Sequence, residues 1–204
     1  MFKEDALEGK RILVTGGGSG LGKEMAKHFL SHGAEVVICG RRDSVLKETE
    51  KELAKTTKGK ISSFSLDIRD SLAIEEAIDS VFASGGLDGL VNNAAGNFIS
   101  RTKDLSSNAF NAIASIVFHG TFNMTNSVGK KWIEMKKPGN ILSITTTWVW
   151  TGSPFSRRRR RSSTPRRSAY RTPWSPACRP ARPGTRGSES PGARRRALVA
   201  PRLP

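Results

Sequence analysis

The stretch TGGGSGLGKEM, residues 15–25, decides the fold that we predict. It has the spacing Thr-Gly-x-x-x-Gly-x-Gly and follows RILVT, residues 11–15, an apolar run typical of a buried strand. Glycines at these positions allow a tight turn and a close approach of the backbone to a pyrophosphate, whose charge the N-terminus of the following helix stabilises. A loop with a purely structural role is the alternative. The loop residues predicted to bind a dinucleotide are Thr15, Gly16, Ser19, Gly20, Leu21 and Gly22.

Outside this loop, short apolar runs alternate with stretches of helical period up to about residue 155. The runs that predict strands are residues 11–15, 35–39, 61–66, 87–92 and 140–145. The stretches that predict helices are residues 20–32, 43–56, 71–84 and 106–135, the last with Ser106 or Ser107 as its N-cap. This alternation predicts an α/β fold, a doubly wound, Rossmann-like parallel sheet with helices on both faces. A ligand is expected beyond the carboxyl ends of the strands.

The end of the second strand carries Arg41 and Arg42 in the run CGRRD. Sites that prefer NAD usually have an acidic residue at this strand end, where it binds the ribose hydroxyls. A guanidinium group pairs with phosphate through two hydrogen bonds, so we expect these arginines to bind the 2′-phosphate of NADP (NADPH). Two solvated arginines that open a helix are the alternative.

Polar and small residues follow the third and fourth strands. In LDIRD, Asp67 can accept a hydrogen bond from the adenine amino group while the backbone of Ile68 borders the ring; Asp67 or Asp70 can also cap the next helix. In NNAAGNFIS, residues 92–100, small side chains leave room for a flat ligand, and the asparagine amides can tie neighbouring strands together with or without one. The residues of this run predicted to contact the cofactor are Asn93, Ala94 and Gly96.

Together these motifs resemble those of the short-chain dehydrogenase/reductase family. TGGGSGLG follows strand one, DI follows strand three and NNAAG follows strand four, and the resemblance covers residues 8 to about 155. Within the family, the runs NNAAGNFIS, LSSNAF, HGTF and SITTT look closest to the 2,4-dienoyl-CoA reductases. That resemblance implies NADPH-dependent reduction of unsaturated fatty acyl-CoA thioesters in fatty acid β-oxidation, and a homo-oligomer.

The same resemblance implies a site for the acyl-CoA substrate. Arg69 would suit a phosphate of CoA, Phe98 would suit an acyl chain and Ser106 would face the substrate, although an arginine at a helix start and a core phenylalanine need no ligand. Many family members have an asparagine of a proton relay three residues before the glycine of the long helix. That position is Val117 here, and the dienoyl-CoA reductases likewise depart from asparagine.

The catalytic groups that the resemblance requires are only partly present. The family supplies Ser, Tyr and Lys, and in dienoyl-CoA reductases the tyrosine comes a few residues past strand five; the matching position here is Trp148, whose N–H is no proton donor near pH 7. No lysine follows Lys137. Ser143 and Thr146 remain as catalytic candidates that could hydrogen-bond a carbonyl, or as ordinary strand residues. We therefore expect an oxidoreductase by family whose activity is impaired or absent.

The usage of basic residues changes abruptly near residue 156. Residues 1–155 hold 14 Lys and 5 Arg against 17 acidic residues, whereas residues 156–204 hold 15 Arg, no Lys and the single acidic residue Glu189. The second segment also holds 8 of the 10 prolines and has no apolar period from which a core could be built. We predict an incomplete NADP-binding domain over residues 1–155, ending after the fifth strand, and a disordered basic tail over residues 156–204.

Two explanations of the tail stay open. Arg, Pro, Ala, Gly and Ser are the residues that a GC-rich message yields when it is read out of frame, so a frameshift near codon 156 would explain the switch. A selected basic arm is the alternative, which would make the chain a non-catalytic dinucleotide-binding domain with a nucleic-acid-binding tail. Either origin predicts nonspecific, salt-dependent binding to polyanions.

The remaining composition bears on location. The sequence has no apolar run of the ~20 residues that a membrane span needs, and residues 1–11 do not resemble a signal peptide. The two cysteines, Cys39 and Cys178, have no metal-ligand spacing. We therefore expect a cytoplasmic protein that binds no metal and has no disulfide framework.

Overall fold

A computed structural model describes Lys3 and residues 5–57, 59–97 and 100–145. Its strands are β1 (Arg11–Thr15), β2 (Glu35–Gly40), β3 (Ile61–Ser65), β4 (Gly89–Asn92) and β5 (Asn140–Ser143). Its α-helices are α1 (Gly20–Ser31), α2 (Asp43–Thr56), α3 (Ser71–Ala83), α4 (Ser107–Ala114) and α5 (Thr121–Glu134). The predicted elements are thus confirmed to within one or two residues at most ends. The predicted tail, residues 156–204, lies outside the described residues, as do Phe98, Thr146 and Trp148.

The five strands form one parallel sheet in the order β3-β2-β1-β4-β5. Because side chains alternate between the two faces of a strand, Leu13 and Val14 enter different cores. Leu13 packs in a cluster with side chains of α3 and α5, and Val14 in a second cluster with side chains of α1 and α2. Helices therefore cover both faces, and the predicted doubly wound α/β fold is confirmed.

The stretch predicted as one helix over residues 106–135 is divided into three parts. A π-helical segment, Ser115–Gly120, lies between α4 and α5. Gly120 packs so closely on Ile68 that a Cβ there would lie 2.7 Å from two side-chain carbons of Ile68. Ser106 caps α4 as predicted, since its Oγ accepts a hydrogen bond of 3.2 Å from the amide of Ala109.

The sheet is much better covered at β2 than at β5. The central residues of β2 are buried, whereas every residue of β5 is exposed. In the described part of the chain, β4 is the only strand that pairs with β5. None of the described helices is long and apolar enough to cross a membrane.

Candidate dinucleotide site

The carboxyl ends of β1 to β4 open into one cleft of about 300 Å³. Eight of the predicted cofactor residues line it: Gly16, Ser19, Arg41, Arg42, Asp67, Ile68, Asn93 and Ala94. These residues come from four separate runs of the sequence, and the parallel sheet brings them together at one edge. Gly20, Leu21, Gly22 and Gly96 are not among the lining residues, and Leu21 is 70% exposed.

The glycine-rich loop between β1 and α1 needs glycine at two positions for different reasons. Gly16 has a φ of +66°, and a Cβ there would lie 3.0 Å from the Cα of Ala94. A Cβ on Gly22 would lie 2.3 Å from the carbonyl oxygen of Gly16, which is backbone and cannot move aside cheaply. The amide of Gly16 also donates a 2.8 Å hydrogen bond to the carbonyl of Cys39 in β2. The loop is therefore folded tightly onto the sheet, as a backbone that must approach a ligand closely requires.

Thr15 and Asn93 join the ends of β1 and β4. The Thr15 hydroxyl accepts hydrogen bonds of 2.9 Å from the amides of Asn93 and Ala94, and the Asn93 side-chain amide donates a 3.0 Å bond to the Thr15 carbonyl. Thr15 is only 1% exposed and does not line the cleft, so it acts here as a structural tie. Asn92 donates a 3.0 Å bond to Thr125 in α5. Both asparagines thus tie elements together, one of the two roles that the sequence allowed.

Arg41 and Arg42 stand at the end of β2 with exposed side chains on the rim of the cleft. Arg42 Nη2 lies 3.5 Å from the Ser19 hydroxyl, so the end of β2 and the glycine-rich loop meet at this rim. Asp43, the next residue, is the first residue of α2, where its carboxylate interacts favourably with the positive end of the helix dipole. Two exposed cationic side chains therefore face the cleft from the position at which an acidic residue would bind ribose hydroxyls.

Asp67 and Arg69 form an ion pair at the end of β3. Arg69 Nε lies 2.9 and 3.0 Å from the two carboxylate oxygens of Asp67. Hydrogen bonding to Arg69 lowers the pKa of the Asp67 carboxyl below its ordinary value, and the positive charge of Arg41 lowers it further. Asp70 caps α3 by accepting bonds of 3.0 and 3.1 Å from the amides of Leu72 and Ala73. Capping thus belongs to Asp70, while Asp67 stays ionised at the cleft.

The sequence did not single out the apolar walls of the cleft. Val45 and Leu46, on the first turn of α2, line the cleft, and so do Leu66 and Ile116. The apolar period of α2 could have indicated Leu46. Ile116 had no such signal, because the π-helical segment changes which side chains face the sheet.

The predicted catalytic and substrate residues are not brought together in the described part of the chain. Ser143 is the last residue of β5 and is exposed, and Ser106 is engaged as the cap of α4. Arg69 is at the cleft but is paired with Asp67. Val117, at the position of the relay asparagine, is 45% exposed in the π-helical segment. No group of acidic, histidine or cysteine side chains among the described residues could hold a metal ion.

A family model described as short chain dehydrogenase matches residues 10–154. The chain belongs to the short-chain dehydrogenase family. This confirms the family that the glycine-rich loop, the DI pair and the NNAAG run predict. The matched residues include all those that line the cleft.

Individual members of the short-chain dehydrogenase family extend the comparison. A probable 2,4-dienoyl-CoA reductase of Caenorhabditis elegans is 43% identical over 157 residues, which are 76% of this chain and 51% of the relative. A probable 2,4-dienoyl-CoA reductase of Bacillus subtilis is 41% identical over 145 residues, 71% of this chain and 57% of the relative. A crystal structure of a short chain dehydrogenase from Bacillus anthracis has a TM-score of 0.67 and 40% identity, and covers 71% of this chain and 60% of that one. The chain thus spans about half the length of the curated relatives it matches.

Proposed function

We propose that this short-chain dehydrogenase homologue binds NADP(H) in the cleft at the carboxyl ends of β1 to β4. The observation that carries the proposal is the position of Arg41 and Arg42, which line the same cleft as the glycine-rich loop. The loop would hold the pyrophosphate, and the two guanidinium groups would pair with the 2′-phosphate. Asp67 and the backbone of Ile68 would border the adenine, and Asn93 and Ala94 would line the path towards the nicotinamide. When bound, NADPH would supply a hydride.

Paired titrations of NADPH and NADH test the cofactor proposal. We expect the chain to bind NADPH at least about tenfold more tightly, because charge-assisted hydrogen bonds to a phosphate contribute ~1.5–3 kcal/mol. Arg41→Ser combined with Arg42→Ser should bring the two affinities close together by weakening NADPH alone. Arg101→Ser, which changes an exposed arginine that is not among the lining residues, is the matched control. Equal affinities for NADPH and NADH in the unsubstituted chain would reject the NADP preference.

For the reaction, we propose the 2,4-dienoyl-CoA reductase type, with a fatty acyl-CoA as substrate and with impaired or no turnover. The identity of 41–43% to relatives with that name supports the substrate class. The impairment is inferred from Trp148 at the position of the family's tyrosine and from the lack of any lysine after Lys137. Reduction of the acyl chain needs a positioned proton donor, and such groups typically contribute 10²–10⁴-fold to the rate.

The loss of NADPH absorbance with a 2,4-dienoyl-CoA measures this reaction directly. We expect a rate at least ~10²-fold below that of an active family member at the same concentration, even when NADPH is saturating. A comparable rate, with active sites titrated to one per chain, would overturn the proposed impairment. The nucleotide sequence near codon 156 supplies an independent test, since a shifted frame that restores a lysine-bearing helix would support the frameshift.

A second candidate function rests on the 15 arginines of residues 156–204. A segment of this charge would bind RNA or DNA through phosphates, with an affinity that falls steeply with salt. Sequence-selective RNA binding at ~150 mM salt, lost on deletion of residues 156–204, would favour a selected basic arm. Binding that is only nonspecific and disappears at that salt would favour the frameshift. A cytoplasmic location is part of both proposals, and fractionation of cells that express the chain tests it.

A further inference from the structure

Thr49 is a buried polar residue in the middle of α2. Only 3% of its surface is exposed, and its hydroxyl lies 2.9 Å from the carbonyl oxygen of Gly18, to which it donates a hydrogen bond. A helical threonine often donates its hydroxyl to a carbonyl one turn earlier in its own helix. Thr49 instead reaches the glycine-rich loop, 31 residues away in the sequence. α2 is therefore bonded to the loop that the proposed function assigns to the pyrophosphate.

The bond to Gly18 fixes a whole peptide group. A peptide unit is planar and trans, so its carbonyl and its N–H point in opposite directions. With the Gly18 carbonyl directed at Thr49, the N–H of Ser19 is directed away from Thr49. Among the hydrogen bonds of the described residues, none is donated by the amides of Gly18, Ser19 or Gly20. These N–H groups are the donors that a pyrophosphate at the start of a helix requires.

Little else fixes the orientation of this peptide. Ser19 and Gly20 are exposed, and a Cβ built on Gly20 would have nothing within 4 Å. A Cβ on Gly18 would approach Leu46 at 3.2 Å, so the loop already packs against α2 at the residue that accepts the bond. Glycine-rich backbone has many accessible conformations, and ordering it on binding costs affinity. A bond that orients the loop beforehand would reduce that cost.

We propose that Thr49 is a positioning residue of the dinucleotide site, which holds the Gly18–Ser19 peptide in the orientation that presents its N–H to the pyrophosphate. The inference rests on the proposed NADP(H) site. It assigns to α2 a role in orienting the glycine-rich loop, in addition to covering the sheet and lining the cleft. Thr49 itself touches no part of the ligand in this account, because it does not line the cleft.

Three variants and two ligands test the inference. Thr49→Val keeps the shape of the side chain and removes the hydroxyl, Thr49→Ser keeps the hydroxyl, and Thr49→Ala gives the same comparison if the valine variant does not fold. The ligands are NADPH and adenosine 2′-monophosphate, which has the adenine and the 2′-phosphate but no pyrophosphate. We expect Thr49→Val to weaken NADPH about tenfold and to leave adenosine 2′-monophosphate within about twofold. Thr49→Ser should restore NADPH binding to within about threefold.

The outcomes separate this inference from the function on which it rests. If the unsubstituted chain binds no NADPH, the proposed function fails and the role of Thr49 fails with it. If that chain binds NADPH and Thr49→Val binds it equally well, only the positioning role is overturned. A variant that loses both ligands to the same extent would also overturn it, because general damage to the domain would then explain the loss.

Discussion

β2 and β5 both carry consecutive apolar residues, VVIC in β2 and IL in β5, but they have different environments. In β2, Val36, Val37, Ile38 and Cys39 are each at most 2% exposed, because β1 and β3 flank the strand and helices cover both of its faces. In β5, Ile141 is 43% and Leu142 is 51% exposed. An apolar run alone therefore does not determine burial; the elements packed on either side of the strand do. The part of the sheet formed by β1 and β2 has a closed core, and we expect most of the stability of the domain to come from there.

Two leucines on neighbouring strands give the strongest test of this comparison. Leu90 in β4 is 1% exposed, whereas Leu142 in β5 is 51% exposed. Leu90→Ala should lower the free energy of unfolding by ~2–5 kcal/mol, since it removes buried methyl groups and leaves a cavity. Leu142→Ala should lower it by less than ~1 kcal/mol. Urea unfolding followed by circular dichroism measures both, and equal losses would contradict the assignment of stability to the closed core.

Two arginines give the next largest expected difference. Arg11, at the start of β1, donates hydrogen bonds of 2.9 and 3.1 Å to the carbonyls of Val81 and Gly86 at the end of α3. Arg11→Met should lower the free energy of unfolding by ~1–3 kcal/mol, because removal of the guanidinium group leaves partly buried carbonyls and Glu35 without their partner.

The matched control is Arg101→Met, which changes an exposed arginine paired with Asp104 near α4. Exposed ion pairs are worth ~0–1 kcal/mol, so this variant should unfold at nearly the same urea concentration as the unsubstituted chain. If Arg101→Met lowers the free energy of unfolding more than Arg11→Met does, the proposed difference between these two arginines is wrong.

The pH dependence of the free energy of unfolding tests whether Cys39 is buried in the closed core. Burial raises the pKa of its thiol from 9.0 to about 12. Because the pKa is higher in the folded state, the buried, protonated thiol contributes fully to the free energy of unfolding below pH 9. This contribution is lost as the pH rises from 9 towards 12. We expect Cys39→Ala in a Cys178→Ser background to show a smaller fall in unfolding free energy between pH 8 and ~10.5 than Cys178→Ser alone.

Thiol labelling of Cys178→Ser checks the same burial without a titration. At pH 8 the folded chain should react with an aromatic disulfide reagent many times more slowly than in urea, because Cys39 is both buried and protonated. Rapid labelling of the folded chain would mean that β2 is open to solvent.

The smallest expected change in the free energy of unfolding is at the Asp67–Arg69 ion pair, which lies at the cleft. Arg69 lowers the pKa of the Asp67 carboxyl, so the stabilising effect of the pair is present above the unfolded-state pKa and is lost as the pH falls through the folded-state value. Arg69→Gln should raise the Asp67 pKa towards its ordinary value in a carboxyl NMR titration and hardly change the unfolding free energy at pH 7. An unchanged Asp67 pKa would show that Arg69 does not control this carboxylate.

The sequence predicted those parts of the fold that depend on local pattern. The apolar run at residues 11–15 and the glycines after it predicted β1, the loop and α1 together. A run typical of a strand changes there to a helical period across a glycine-rich turn. Asp70 and Ser106 were each predicted as one of two candidate caps, beside Asp67 and Ser107, because capping needs only a side-chain oxygen two or three residues before an amide. Eight of the residues that line the cleft followed from the rule that ligands bind at the carboxyl ends of parallel strands.

Other features depend on contacts between distant residues and had no local signal. The bond from Thr49 to Gly18 joins residues 31 positions apart. The π-helical segment that carries Ile116 ends at Gly120, which packs closely against Ile68. Such contacts follow from the assembled sheet rather than from any run of residues.

A calorimetric titration of the purified 204-residue chain with NADPH tests directly whether the chain binds this cofactor in the cleft at the carboxyl ends of β1 to β4. We expect saturable binding at one site per chain with a Kd on the order of 1–100 μM. Gly22→Val should abolish this binding, because its side chain would collide with the Gly16 carbonyl. The absence of saturable binding up to ~1 mM NADPH, in a chain whose circular dichroism shows the folded α/β domain, would contradict the proposed cofactor site.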